Sequence, residues 1–174
     1  MRTNRVVLLA MLSVAVFSHG QSNKVASVDP PLRDLLMRDA PCNKTGAAVT
    51  DADRAEFAQS SVRLQTSARG RGVVVIAEPE SVCGCQNGNC PVFVYAKFNE
   101  GYKLVLKDLL ASLTPMHGLV KGFPPLSAKF EVTESQTETT IYNWDGKGYR
   151  ASVCATVIQH KNQKLPSIVK HACP

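Results

Sequence analysis

Residues 83–106 read CGCQNGNCPVFVYAKFNEGYKLVL, and this stretch decides the fold class. After Pro91, apolar and polar residues alternate in two runs, with Asn99-Glu100-Gly101 between them. Alternation on both sides of a glycine-containing turn is typical of a β-hairpin. The stretch therefore predicts two antiparallel strands that directly follow a cluster of cysteines.

Further strands are predicted on both sides of this hairpin. They share β-branched runs or period-2 alternation, and they cover residues 73–76, 128–133, 139–144 and 149–158. Asp145-Gly146 is a strong turn signal between the last two strands. Residues 108–126 fit either a helical turn or a loop.

The second hairpin repeats features of the first. Val94-Tyr95 corresponds to Ile141-Tyr142, and Gly101-Tyr102-Lys103 corresponds to Gly148-Tyr149-Arg150. Matched residues lie 47 positions apart, as in 94 to 141 and 101 to 148. Two interpretations stay open here: a duplicated hairpin, and a chance recurrence of aromatic and turn residues in a β-meander.

Two short helices are predicted before the strands. Leu32, Leu35 and Leu36 share one helical face after a pair of prolines. Thr50 is a candidate N-cap for a helix over residues 51–59. The predicted fold class is therefore α+β: mainly one antiparallel sheet of about five to seven strands, with short N-terminal helices and disulfide bonds.

The amino terminus has the pattern of a secretory signal. Residues 1–20 combine a basic start, an apolar run and small residues before Gln21. The apolar run, about twelve residues long, is too short to span a bilayer unaided. We expect residues 1–20 to be removed, residues 21–41 to form an extension with a short helix, and residues 42–174 to form a single disulfide-stabilised domain.

The chain has six cysteines, and an even number in an exported chain indicates disulfides. The candidates are Cys42, Cys83, Cys85, Cys90, Cys154 and Cys173. We expect Cys85 to pair with Cys90, Cys83 with Cys154, and Cys42 with Cys173. The alternative is a thiolate metal site or a redox centre made by Cys83, Cys85, Cys90 and Cys154. No cofactor is predicted.

The formal charge of +6 is a mild excess of cations. Solvated surface charge explains it, and the functional alternative is an anionic partner: an extracytoplasmic protein, a cell-wall polymer or a lipid headgroup. Nucleic acid is disfavoured because no dense basic stripe with interleaved aromatics occurs. The candidate binding residues are Arg69, Arg71, His117 and Trp144, although Trp144 beside a turn also suits a packing role.

Several of these motifs together resemble a group of small exported bacterial proteins without an established activity. The motifs are CGC-x-x-GNC-x-x-x-V, GY-basic-L-x-L, Met-His-Gly at 116–118, and YxxDGxxYR ending in Cys154. They cover about residues 72–155. The resemblance implies a β-rich periplasmic or secreted domain, and it supplies no substrate. The acidic turn that often precedes the cysteine cluster in that group is missing at residues 67–72, which argues against a calcium loop here.

The expected function is an exported, non-enzymatic binding or inhibitor-type domain, periplasmic or secreted. A nucleophile elbow is absent from the sequence, and so is a metalloprotease HExxH motif. The alternative is the thiolate metal-binding or thiol-redox protein described above, using the CGCQNGNC cluster. After signal cleavage we expect no membrane insertion.

The signal predicts where the mature chain begins. Because Ser18 and Gly20 place small residues at the cleavage-determining positions, we expect the first residue to lie at or within a few positions of Gln21. Amino-terminal sequencing of the protein from its own source measures this directly. Met1 on the abundant species would contradict the prediction.

Overall fold

The structure, a computed structural model, describes residues 21–39, 49–69, 72–80, 85–160 and 165–173. Over these residues the chain forms two five-stranded sheets in which all neighbouring strands are antiparallel. Each sheet is a meander, with its strands in chain order from one edge to the other. The expected α+β, mainly antiparallel class is confirmed, but the expected single sheet of five to seven strands is wrong.

The first sheet contains β1 (Gln21–Lys24), β2 (Ser61–Arg69), β3 (Gly72–Pro79), β4 (Cys90–Phe98) and β5 (Gly101–Leu110). The second contains β6 (Ser112–Pro115), β7 (Leu126–Thr133), β8 (Gln136–Trp144), β9 (Tyr149–Ile158) and β10 (Ser167–His171). A 3-10 turn (Val25–Ser27) and helices α1 (Pro30–Asp39) and α2 (Asp51–Gln59) lie between β1 and β2. The helices therefore do not precede the sheet as expected, because the extension at Gln21 is itself an edge strand.

The chain passes from one sheet to the other at Ala111. β5 ends at Leu110, β6 begins at Ser112, and the Ala111 N–H donates a hydrogen bond to the Lys129 carbonyl, 2.8 Å away. This short break resolves the ambiguity at residues 108–126. That segment contains a strand end, a second strand and a loop, and no helical turn.

The first sheet is the middle layer of the molecule. One of its faces carries Val74, Ile76 and Val94, which pack into a core with the second sheet. The opposite face carries Phe93 and Tyr95, which pack with the helices. A sheet that is covered on both faces needs apolar residues at successive positions, and this explains the continuous apolar runs in β3 and β4.

A local signal fixes the start of α2, and contacts with the first sheet hold the end of α1. The Thr50 side chain accepts a hydrogen bond from the Asp53 N–H, and the Asp53 carboxylate accepts one from the Thr50 N–H, which makes a capping box at the start of α2. At the end of α1, the Tyr95 hydroxyl donates to Asp39 Oδ2 (3.3 Å), and Lys107 Nζ donates to the Asp39 carbonyl (3.1 Å). Burial first, and the adjacent Asp39 second, raise the pKa of Tyr95. The phenol therefore stays protonated and keeps donating.

The two hairpins that resemble each other in sequence have the same strand register. Val94 pairs with Leu106, and Ile141 pairs with Val153 in the second hairpin. Both hairpins also have a register shift at the matched position, between Val94 and Tyr95 and between Ile141 and Tyr142. A shared bulge is not required by a generic meander, so the structure favours the duplicated-hairpin interpretation.

The turn at Asp145-Gly146 is present and spans residues 145–148. Asp145 Oδ1 accepts hydrogen bonds from the N–H groups of Lys147 (2.7 Å) and Gly148 (2.9 Å). Gly146 has φ +116°, a conformation that glycine adopts without strain. A Cβ on Gly148 would lie 3.2 Å from the Val105 carbonyl oxygen, so this loop packs closely against β5.

The structure confirms one disulfide prediction and corrects two others. Cys85 is bonded to Cys90 as expected. Cys154 is bonded to Cys173, so the expected Cys83–Cys154 and Cys42–Cys173 pairs are wrong. The reason is β10, which the sequence prediction missed: it places His171 opposite Cys154, and Cys173 follows just after. Cys42 and Cys83 lie outside the described residues.

Within the described ranges, no helix combines the length and the apolarity that a membrane span needs.

A side-chain pair also holds β10 against the second sheet. His171 Nε2 lies 2.9 Å from Glu138 Oε2, and the Thr156 hydroxyl donates to Glu138 Oε1 at 2.6 Å. The hydrogen bond from Thr156, followed by His171, lowers the pKa of Glu138. The Ala172 carbonyl, followed by Glu138, raises the pKa of His171.

These shifts predict a pH window for the attachment of β10. The Glu138 contribution is complete above its ordinary pKa near 4.5 and is lost as the pH falls through the lowered value. The His171 contribution is complete below its ordinary pKa near 6.5 and is lost as the pH rises through the raised value. Both contributions are complete between the two ordinary pKa values, so the β10 amides should be best protected from hydrogen exchange between about pH 4.5 and pH 6.5.

The matched test compares His171→Gln with His117→Gln, which changes a histidine outside β10. We expect only His171→Gln to remove the decline in protection above neutral pH. Equal pH profiles for wild type and His171→Gln would contradict this assignment.

Candidate functional site

Phe98 is an exposed aromatic side chain at the tip of the β4–β5 hairpin, with 41% of its surface accessible. Its ring centroid lies 6.1 Å from that of Phe123 and 6.3 Å from that of Trp144. Phe123 and Trp144 are buried and stacked, 4.1 Å apart, and Tyr149 meets Trp144 edge-on at 5.4 Å. We call Phe98, Phe123, Trp144 and Tyr149 the aromatic cluster.

The sequence builds this cluster at the ends of strands. Trp144 and Tyr149 are the last residue pair of β8 and β9. The Tyr149 hydroxyl donates to the Pro124 carbonyl at 2.9 Å, and burial raises the pKa of Tyr149. At Gly72 a Cβ would lie 2.5 Å from the Phe123 ring, so glycine is what allows this ring to rest on the start of β3.

Five exposed cations that the structure describes lie at the two hairpin tips: three line the grooves beside Phe98, and two contact Asp145. They are Lys97, Lys103, Lys121, Lys147 and Arg150. Lys97 Nζ lies over the Tyr102 ring, 5.5 Å from its centroid, and Lys121 Nζ donates to the Asp145 carbonyl at 2.6 Å. These contacts place two ammonium groups beside the hairpin tips.

Among the residues that the structure describes, the carboxylates at this end are Glu100 and Asp145. Asp145 is turned into its own loop, where the backbone N–H groups of Lys147 and Gly148, and then Arg150, lower its pKa. Glu100 lies at the tip itself and lines both of the grooves described below. The cations around the hairpin tips therefore outnumber the carboxylates, which gives this end a positive character.

Two shallow grooves lie beside Phe98, which lines both of them together with Glu100. One groove, of about 400 Å³, runs between the two hairpin tips and is lined also by Gly101, Tyr102, Lys103, Gly146 and Lys147. The other, of about 410 Å³, is lined also by Lys97, Asn99 and Phe123. Phe98 thus forms a ridge between two grooves, each of which contains lysine and an aromatic ring.

The predicted binding residues reach this end to different degrees. Trp144 is only 4% exposed, so it supports Phe98 and does not itself offer a surface. His117 is exposed in the loop that also carries Lys121 and Phe123, but it lines neither groove. The backbone of Arg69 pairs with Gly72, beside Phe123, so the end of β2 and the start of β3 lie at this end of the molecule. Arg71 lies outside the described residues.

Sequence reasoning missed Phe98 and the lysines beside it. The available signal was the repeated Gly-Tyr-basic pattern, which places Lys103 and Arg150 at matched positions of two hairpins. Nothing in the sequence shows that both hairpin tips meet at one end. That arrangement depends on the way the two sheets pack.

The cysteine cluster has a structural role in the described residues. Asn87 and Gly88 form a turn with positive φ, and Asn89, only 1% exposed, follows it. Asn89 Oδ1 accepts a hydrogen bond from the Glu131 N–H (2.7 Å), and Asn89 Nδ2 donates to the Glu131 carbonyl (2.8 Å). This side chain acts like a strand partner and fastens the loop to β7.

The described cysteines Cys85, Cys90, Cys154 and Cys173 all lie in disulfides. A thiolate site would require these bridges to open. No group of three or more His, Cys, Asp or Glu in the described part of the chain is arranged to hold a metal ion.

The two sheets are also joined by a hydrogen bond from the Tyr142 hydroxyl to Asp108 Oδ2, between β8 and β5. Burial first, and Asp108 second, raise the pKa of Tyr142. With Asp145, Tyr149 and Arg150, this contact gives structural roles to the polar residues of the YxxDGxxYR motif.

Comparisons of the chain with protein-family models, with curated proteins and with solved structures found no match.

The role of Asn89 predicts a stability defect. Asn89→Ala removes two part-buried hydrogen bonds to the Glu131 backbone, which should lower the free energy of unfolding by about 1–3 kcal/mol. Thermal and denaturant unfolding measure this, and Asn99→Ala, in the exposed β4–β5 turn, is the control. Equal stabilities for the two variants would contradict the role assigned to Asn89.

Proposed function

We propose that this protein is an exported binding module, of inhibitor or adaptor type, that contacts its partner through the tips of its two matched hairpins. The observation that carries the proposal is Phe98, an exposed aromatic ring that rests against the buried rings of Phe123 and Trp144. Lys97, Lys103 and Lys147 line the grooves beside it. A rigid aromatic anchor loses little conformational entropy on binding.

Two observations support export. Residues 1–20 have the pattern of a cleavable secretory signal. The disulfides Cys85–Cys90 and Cys154–Cys173 suggest an oxidising, extracytoplasmic location. The mature chain would then meet its partner in the periplasm or outside the cell.

The chemistry of the tip suits binding better than catalysis. Its carboxylates are not paired: Asp145 is occupied by its own loop, and Glu100 lies at the other hairpin. The hydroxyl of Tyr149 is buried and donates to a carbonyl. What the tip offers is shape, ring surface and positive charge, which are properties of a recognition surface.

The test is a pull-down from the exported fraction of the protein's own source. It uses three baits: wild type, Phe98→Ser and Ile168→Ser. Ile168 lies on β10 and is 62% exposed, so its substitution removes an exposed apolar side chain away from the tips. We expect wild type and Ile168→Ser to capture the same material, and Phe98→Ser to capture roughly ten times less, as for the loss of a hot-spot residue.

Unfolding curves of all three baits show whether Phe98→Ser stays folded. A second variant, Lys103→Gln/Lys147→Gln, changes only exposed side chains of the same groove and should show the same loss. Undiminished capture by both tip variants would overturn the proposed surface.

A further inference from the structure

We propose that the two grooves beside Phe98 bind an extended anionic polysaccharide, with one chain crossing the Phe98 ridge from groove to groove. The inference rests on the proposed function, because it names the partner class of the same hairpin tips. It is carried by the combination of ring surface, lysines and a carboxylate in two grooves that share Phe98 and Glu100.

The rings supply a surface for the apolar faces of sugars. Phe98 is half-exposed and lines both grooves, and Tyr102 lines the groove between the hairpins. Phe123 and Trp144 hold the Phe98 ring from below, so the ring is already positioned in the free protein. An aromatic ring with polar side chains on both sides of it is typical of binding sites for ligands that have one apolar and one polar face.

The charges lie where an anionic chain needs them. Lys103 and Lys147 line the first groove, and Lys97 lines the second. Cations on both sides of the ridge match a ligand whose negative charges repeat along its length. A single small anion would need only one of the two grooves.

Glu100 distinguishes a sugar polymer from a ligand that carries only negative charge. This carboxylate lines both grooves, and a carboxylate can only accept hydrogen bonds. Sugar hydroxyls can donate hydrogen bonds to the Glu100 carboxylate, whereas the phosphates of a phosphate-rich surface would be repelled by its negative charge. The lysines can bind the acidic groups of a sugar chain, and Glu100 can accept hydrogen bonds from its hydroxyls. This combination fits an acidic polysaccharide.

Other partners fit these grooves less well. An extended peptide is usually recognised by a free strand edge and by pockets for alternate side chains. Phe98 and Gly101 at this tip are already paired with each other, and the grooves are open and shallow. A bilayer surface would need a broader apolar face than Phe98 and Leu119 provide, since these are 41% and 47% exposed.

The experiment measures binding of the folded mature protein to polygalacturonate, with uncharged dextran as the neutral polymer, by titration at two salt concentrations. We expect binding to polygalacturonate that weakens as salt rises, and no comparable binding to dextran. Phe98→Ala should weaken it about tenfold, and Lys103→Gln/Lys147→Gln about tenfold with a smaller salt dependence.

The matched control is Lys24→Gln/Lys170→Gln, which removes the same charge from exposed positions on β1 and β10. It should bind like wild type. An equal loss in the control would show non-specific attraction to a basic protein and overturn the proposal. Equal binding of dextran and polygalacturonate would overturn the anionic part.

Two further arms separate this inference from the proposed function. The first measures binding of the protein to vesicles that contain an anionic phospholipid. The second identifies the material that the pull-down baits capture. Phe98-dependent binding of vesicles or of an acidic protein, without binding of polygalacturonate, overturns the polysaccharide and leaves the hairpin-tip surface standing. If both tip variants capture as much material as the wild type does, the proposed binding surface is overturned.

Discussion

The stacked rings of Phe123 and Trp144 connect the fold to the candidate site. Trp144 ends β8 in the second sheet, and Phe123 lies over Gly72 at the start of β3 in the first. This contact closes the core between the sheets at the end where the hairpin tips emerge. It also provides the support on which Phe98 rests, so packing between the sheets decides whether the tips form one surface.

The sequence predicts well the parts of this fold that depend on local signals. The Thr50 cap, the turn before Gly101 and the glycine in the Asp145 loop each act within a few residues, and each has the predicted role. The matched spacing in the two hairpins, which left duplication and chance recurrence open, agrees with the common register that the structure shows. These features need no knowledge of what lies across the core.

The features that the sequence prediction missed depend on distant partners. β10 lacks apolar alternation, because Ile168 and Val169 are adjacent, and it becomes a strand because β9 supplies its hydrogen bonds. The Cys154–Cys173 bond follows from the position of β10 beside β9. Because the sequence analysis did not predict β10, it also predicted the wrong partners for these two cysteines. The division into two sheets depends on the break at Ala111, which carries no turn signal of its own.

Phe98 could not be identified from sequence for a related reason. An aromatic at the end of an alternating strand is usually a packing residue, and only the position of the second hairpin leaves this ring half-exposed. The residues that hold it are buried, while the lysines around it contribute little to the core. The buried side chains that support the core and the exposed side chains of the proposed binding surface are therefore different at this end of the molecule, so substitutions of the exposed lysines should leave the fold intact.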